Sequence, residues 1–212
     1  MKLLLTSTGL SHQEIAKSFV DMAGNDLRKL KIAFITSAAV TDEEKKYVQK
    51  SYDEMVNFGI SKDNIQTIDV YIKDKALIID EANVMYVCGG NTFHLMDQLR
   101  KTGLGDKVRE FVNAGKLYLG VSAGTIVLTP SISIASVEPA DLNEVGLTDM
   151  HGLDLVPYEV SVHSPEIVPF ESVQIYAKNS RNRIYAISDK TAIKVSGNDF
   201  EIIGEKLFKA FN

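Results

Sequence analysis

Residues 117–128 read Leu117-Tyr118-Leu119-Gly120-Val121-Ser122-Ala123-Gly124-Thr125-Ile126-Val127-Leu128. Residues 117–121 have the continuous apolar character of a strand buried on both faces, and the run after Gly124 is apolar and helix-like. Between them, Gly120-Val121-Ser122-Ala123-Gly124 has the G-x-S-x-G spacing of a nucleophile elbow, in the strand-turn-helix context that the motif requires. Glycines two before and two after the serine relieve the crowding of a sharp turn and push the hydroxyl out above the sheet. A serine is a weak nucleophile there without a histidine base, and the Ala123 N–H would face the oxyanion that develops on attack. A small-residue turn in which Ser122 merely caps the next helix has the same spacing.

Working outward, residues 3–6, 32–36, 65–70 and 84–88 are further short apolar runs that read as buried strands. Amphipathic segments separate them. Ser11 to Glu14 and Thr41 to Glu44 have the spacing of capping boxes, Gly59 follows the second helix as a stop, and residues 93–101 and 107–114 supply two more helical patterns before Gly115. The order β-α-β-α-β, then β-α-β, predicts an α/β fold with a doubly wound, mostly parallel sheet and helices on both faces. Residues 132–152 are turn-rich. Runs at 184–187, 192–195 and 200–203 predict an antiparallel edge, followed by a short helix from Glu205. With no repeat or linker, the chain reads as one domain over residues 1–212.

The composition excludes several functions. The 212 residues are 45% hydrophobic and 24% charged, which argues for a packed core and against disorder. The net charge is −5, from 28 acidic and 23 basic residues scattered along the chain, so no basic face is available for nucleic acid. No run approaches the roughly 20 apolar residues of a membrane span, and the N-terminal apolar stretch is too short for a signal segment. The one cysteine, Cys88, cannot make an internal disulfide, so a cytoplasmic location is expected. His12, His94, His151 and His163 lie far apart without a zinc pattern, and neither metal nor cofactor is expected.

Ligands of open α/β sheets bind at the carboxyl ends of strands. A second turn of interest lies there: Val87-Cys88-Gly89-Gly90-Asn91-Thr92 leaves a strand and opens a helix. Paired glycines let backbone N–H groups face a ligand, so Gly90 is the candidate second oxyanion donor, and Gly89 and Asn91 are candidate substrate contacts; Asn91 or Thr92 as a simple helix cap is the alternative. Among the histidines, His163 ends the alternating run 158–162 and precedes Pro165, so a strand end would carry its ring to the catalytic edge. Cys88 sits inside an apolar strand and reads as packing.

These residues resemble the S51 peptidases, the family of aspartyl dipeptidase and cyanophycinase. The resemblance rests on the run from Val87 through Phe93 with Leu95, on the elbow at Gly120 to Gly124, on Leu153-Asp154-Leu155-Val156-Pro157 leading to His163, and on residues 184–195. It implies a fold similar to class I glutamine amidotransferases, and a Ser-His-acid triad with His163 in the place of the base. The family's acid is a glutamate after a proline turn; here the matching stretch reads Ser188-Asp189, which makes Asp189 the candidate acid, with Glu159 as the main competitor and Glu166 also near. The substrate class implied is a short peptide cut after its first residue.

The chain is thus expected to be a serine peptidase: Ser122 as nucleophile, His163 as base, Asp189 as orienting acid, and Gly90 with Ala123 around the oxyanion, acting as a monomer or homodimer. A non-catalytic ligand-binding or regulatory module, or a hydrolase of non-peptide acyl groups, would use the same fold. Residues 164–180 lack the arginine-bearing segment of the aspartyl dipeptidases and hold Lys178 as their only cation, with Arg181 and Arg183 following at positions expected to face solvent. Strict preference for an N-terminal aspartate is therefore not expected.

Overall fold

The computed structural model describes residues 1–24, 26–68 and 75–212. In chain order its strands are β1 (Lys2–Thr6), β2 (Ile32–Ile35), β3 (Ile65–Ile68), β4 (Val84–Val87), β5 (Leu117–Val121), β6 (Tyr158–Ser161), β7 (Arg183–Ile187), β8 (Thr191–Ser196), β9 (Asp199–Gly204) and β10 (Phe208–Phe211). The helices are α1 (Gln13–Ala23), α2 (Asp42–Asn57), α3 (Lys75–Glu81), α4 (Thr92–Lys101), α5 (Leu104–Asn113), α6 (Ala123–Ile126) and α7 (Phe170–Ala177). A seven-stranded sheet has the order β3-β2-β4-β5-β1-β8-β9, and a three-stranded sheet the order β10-β7-β6. Strands β1 to β5 pair in parallel, while β8 and β9 close the edge beyond β1 antiparallel.

The apolar runs are continuous because both faces of the large sheet are covered. Leu3, Leu5, Ala33, Ile35, Met85, Val87 and Tyr118 face one core with Phe93 and Leu99 of α4 and Phe111 of α5. Their neighbours Leu4, Ile32, Phe34, Val84, Tyr86 and Leu119 face a second core with Ile15 and Phe19 of α1 and Met55 of α2. The period of two along each strand therefore sorts one hydrophobic run into two layers.

The α/β class and the mostly parallel, helix-flanked sheet are as the sequence predicts, and several local expectations are corrected. The capping box forms at Thr41 and Glu44. It does not form at Ser11: α1 is entered from His12, and the Ser11 hydroxyl pairs with that of Thr8 at 3.0 Å. The strand expected over 65–70 is formed over Ile65–Ile68, its last two positions lying outside the described residues. The sequence reading put no helix between β3 and β4, yet α3 fills that crossover, as a parallel connection requires. No helix follows Glu205. Instead β10 pairs antiparallel along β7, which joins β6 in the smaller sheet and not the antiparallel edge, because its other side would otherwise be an open row of backbone donors and acceptors. Among the described residues, no helix is long and apolar enough to cross a membrane.

A buried hydroxyl pair fastens β1 to the turn after β5. The Thr6 N–H donates to Thr125 Oγ1 at 3.0 Å, and Thr125 Oγ1 lies 2.8 Å from the Thr6 carbonyl and 3.0 Å from that of Gly120. Thr6 Oγ1 itself donates to the Gly120 carbonyl at 2.9 Å and accepts from the Gly9 N–H at 3.0 Å. Thr125→Val keeps the shape and strands a buried N–H, so it is expected to cost about 1–3 kcal/mol. Urea unfolding of the variant measures this, and an unchanged midpoint would show that the hydroxyl is dispensable.

Candidate active site

At the end of β5 the backbone turns through Ser122 with φ +49° and ψ −112°, a region that L-residues rarely occupy. The flanking glycines permit this by close approach. A Cβ on Gly120 would stand 2.7 Å from the Gly124 carbonyl oxygen, and one on Gly124 would stand 2.2 Å from that of Val87. The Tyr118 hydroxyl, from β5 itself, donates to the Gly124 carbonyl at 2.6 Å. Ser122 is thereby held at the carboxyl end of the central strand, its N–H donating to Thr6 O at 3.0 Å.

The turn from β4 into α4 lies alongside. Gly90 has φ +133°, and a Cβ there would sit 2.2 Å from the Ala38 carbonyl oxygen. A Cβ on Gly89 would be 3.0 Å from Ser122 Cβ and 3.6 Å from its Oγ, so the glycine turn and the elbow are in direct contact. Among the described residues the N–H groups of Gly89, Gly90 and Ala123 make no backbone hydrogen bond outside helices and strands. Gly89 and Gly90 line the cavity above Ser122, whereas Ala123 is fully buried in the first turn of α6. Asn91, expected at the substrate, is engaged elsewhere: its Oδ1 accepts from the His94 N–H at 2.9 Å as the cap of α4, and its Nδ2 donates to the Leu142 carbonyl at 2.8 Å.

His163 comes two residues after β6, with φ +55° and its N–H donating to Ser7 Oγ at 3.0 Å. Its Nε2 lies 3.1 Å from Ser122 Oγ, and its Nδ1 lies 2.5 Å from Asp189 Oδ1. A proton on Nδ1 donated to the carboxylate leaves Nε2 to accept from the serine hydroxyl. Asp189 follows β7, and its carbonyl accepts from Thr8 Oγ1 at 2.7 Å. The polar run Thr6-Ser7-Thr8 thus ties together all three residues. Sequence reasoning passed over it, although its place just beyond the first strand was a signal.

Glu159 does not meet His163. It is buried in β6 with its carboxylate turned toward α7, accepting from Tyr176 Oη at 2.6 Å, Ser180 Oγ at 2.8 Å and Asn182 Nδ2 at 2.9 Å. Position on one strand face does not decide which way a long side chain bends. Glu166 is exposed. His151 is exposed and bound to Asp149, and Cys88 is buried with its thiol pushed well above its usual value by desolvation.

Ser122, His163 and Asp189 open on one cavity of about 420 Å³, a volume suited to a small ligand. A carboxylate that the sequence reading missed, Asp141, also lines it. Asp141 Oδ2 accepts from the Thr92 N–H at 2.8 Å, and the buried Thr92 hydroxyl faces the same carboxylate. Burial raises the Asp141 carboxyl above its ordinary range and the charge of Glu44 adds to this, against the pull of Thr92 and His163. Lys178, Arg181 and Arg183 are exposed and do not line the cavity.

The profile of peptidase family S51 matches residues 3–203. An uncharacterized peptidase of Listeria monocytogenes is 27% identical over 208 residues, covering 97% of this chain and 98% of the relative. Peptidase E of a Nostoc species is 27% identical over 221 residues, covering 99% and 87%. The solved structure of a Listeria monocytogenes protein described as a peptidase E superposes with a TM-score of 0.81 at 25% identity, over 96% of this chain and 98% of that one.

The three hydrogen bonds to Glu159 imply a supporting role away from the cavity. Glu159→Gln replaces an acceptor by an amide that meets donors on both sides, and is expected to lower stability by about 1–3 kcal/mol. Chemical denaturation checks this; wild-type stability would mean that the Tyr176, Ser180 and Asn182 contacts carry no net weight.

Proposed function

Because the chain belongs to peptidase family S51 and is a serine-type peptidase, a hydrolase, we propose that it cuts short peptides with a Ser122-His163-Asp189 triad. Ser122 Oγ attacks the peptide carbonyl while His163 Nε2 takes its proton. The imidazolium is steadied by Asp189 and returns the proton to the leaving amine, and water then releases the acyl group by the same path in reverse. Gly90 and Ala123 offer N–H groups to the oxyanion, with Gly89 as a further neighbour. The reading is supported above all by the chain of contacts from Asp189 Oδ1 through the imidazole to Ser122 Oγ, at 2.5 and 3.1 Å, opening on one cavity.

Asp141 favours cleavage after the first residue. A carboxylate on the cavity wall, near the imidazole, complements an ammonium group, and the free amine of a peptide is such a group. Asp141 would then hold the α-amino end while Ser122 acts on the following carbonyl. Among the described residues no arginine lines the cavity, so a substrate carboxylate side chain would lack a bidentate partner.

Ser122→Ala is expected to abolish hydrolysis of dipeptides with little change in the unfolding midpoint, and His163→Ala to cost about 10³ or more in turnover, since triad members act as a unit. Retained turnover in either variant would remove that residue from the mechanism. Fluorophosphonate labelling of Ser122 in the wild type, lost in His163→Ala, separates an activated serine from a capping one.

Asp141→Asn is expected to lower kcat/KM about 10- to 100-fold for peptides with a free amine, and far less for their N-acetylated counterparts. Protonation of Asp141 should have the same effect. Since burial raises this carboxyl, the anchor is present above its folded pKa and fades as pH falls through it, at a higher pH than an exposed aspartate would give. Equal losses for free and acetylated peptides would sink the amine-anchor reading.

A further inference from the structure

One wall of the cavity is a face of α2. Glu44, Tyr47, Val48, Ser51 and Glu54 recur at helical spacing, and all line the cavity that contains Ser122. The four carboxylates around this space are not equivalent. Glu44 is committed to the start of its helix, accepting from the N–H groups of Val40 and Thr41 and from the Thr41 hydroxyl. Asp189 holds His163, and Asp141 holds Thr92. Glu54 is partly buried and makes no ion pair among the described residues. Burial raises its carboxyl, against the pull of Lys50 and of the Leu10 N–H. Lys50, one helical turn before it, is exposed and also borders the cavity, but is not within ion-pair distance of Glu54.

A second polar group lies at the same place. Tyr86 is fully buried in β4, its hydroxyl facing Ser51 without a hydrogen bond of good geometry. A Cβ on Gly9 would lie 2.8 Å from the Tyr86 hydroxyl and 3.7 Å from Glu54 Oε2, so the phenol and the carboxylate converge on one point beneath the cavity wall. Buried polar groups without partners are rare and costly. Here a carboxylate without a paired cation, the hydroxyl of Ser51 and the ring of Tyr47 border the open cavity, with the Tyr86 phenol behind them. The complement of such a set is a cation rich in donors, with an apolar stem to lie along Tyr47 and Val48.

We propose that Glu54, with Ser51 and Tyr47, forms a subsite for a lysine or arginine side chain flanking the scissile bond, so that the preferred substrates are short cationic peptides. This rests on the peptidase reading of the cavity. It assigns to the face of α2 a part in substrate choice that the triad does not require.

The test compares Lys-Leu and Leu-Lys with Nle-Leu and Leu-Nle, in which norleucine keeps the stem and loses the charge. At neutral pH one lysyl peptide is expected to exceed its norleucyl partner at least tenfold in kcat/KM, and Glu54→Gln to reduce that ratio to about one. Hydrolysis of all four with a ratio near or below one in the wild type would overturn the subsite while leaving the peptidase reading intact. A ratio unmoved by Glu54→Gln would overturn it equally. Should none of the four be cut, the proposed activity fails, and the subsite is judged by calorimetric binding to the Ser122→Ala protein: at least tenfold tighter binding of a lysyl peptide supports it, and equal binding overturns it.

Discussion

The turn at Ser122 works only because the backbone on either side of it packs at distances that no side chain allows. Gly124 lies against the Val87 carbonyl and Gly120 against that of Gly124, so β4, β5 and α6 meet without an intervening Cβ. A non-glycine residue at φ +49° costs on the order of 1–3 kcal/mol. The Thr6–Thr125 hydrogen bonds and the Tyr118 hydroxyl on Gly124 lie within the same few residues and offset that strain. The serine is thus presented at the sheet edge by main-chain packing, and its orientation is settled before any substrate arrives.

The other two residues come from a different sheet. β6 and β7 run parallel in the small sheet, so that their carboxyl ends, and with them His163 and Asp189, emerge on the same side. What aligns this pair with Ser122 is the short segment after β1, where Ser7 holds the His163 backbone and Thr8 holds the Asp189 carbonyl. Because β1 also pairs with β5, one segment sets the register between the Ser122 hydroxyl, the imidazole and the carboxylate. Glu159, buried in β6 four residues before His163, shows the complementary economy: its charge is spent on a tyrosine, a serine and an asparagine that close the far end of the small sheet.

The cavity between these elements is electrostatically one-sided. Glu44, Glu54, Asp141 and Asp189 line it, and among the described residues Lys50 is the only lysine or arginine to do so. At short range in a partly desolvated space such an imbalance selects by charge more strongly than it would at the surface. It also disfavours a substrate carboxylate, in keeping with the absence of a guanidinium from the wall.

Period-two burial, glycine spacing and the polar breaks between apolar runs are local properties, so the α/β class, the parallel strands, the elbow at Ser122 and the glycine turn at Gly89 and Gly90 were all legible along the chain. The placement of His163 at a strand end was legible for the same reason. Whether Asp189 or Glu159 faces the imidazole was not, since both lie near it in the reading of strands and only the bend of Glu159 toward α7 separates them. Nor was the role of Ser7 and Thr8, the entry of Asp141 from a turn-rich segment, or the pairing of β10 with β7, each of which joins residues far apart in the chain. Sequence pattern reports which face of an element is apolar; which polar side chains share a cavity is decided by how the elements pack, and that depends on contacts no local period encodes.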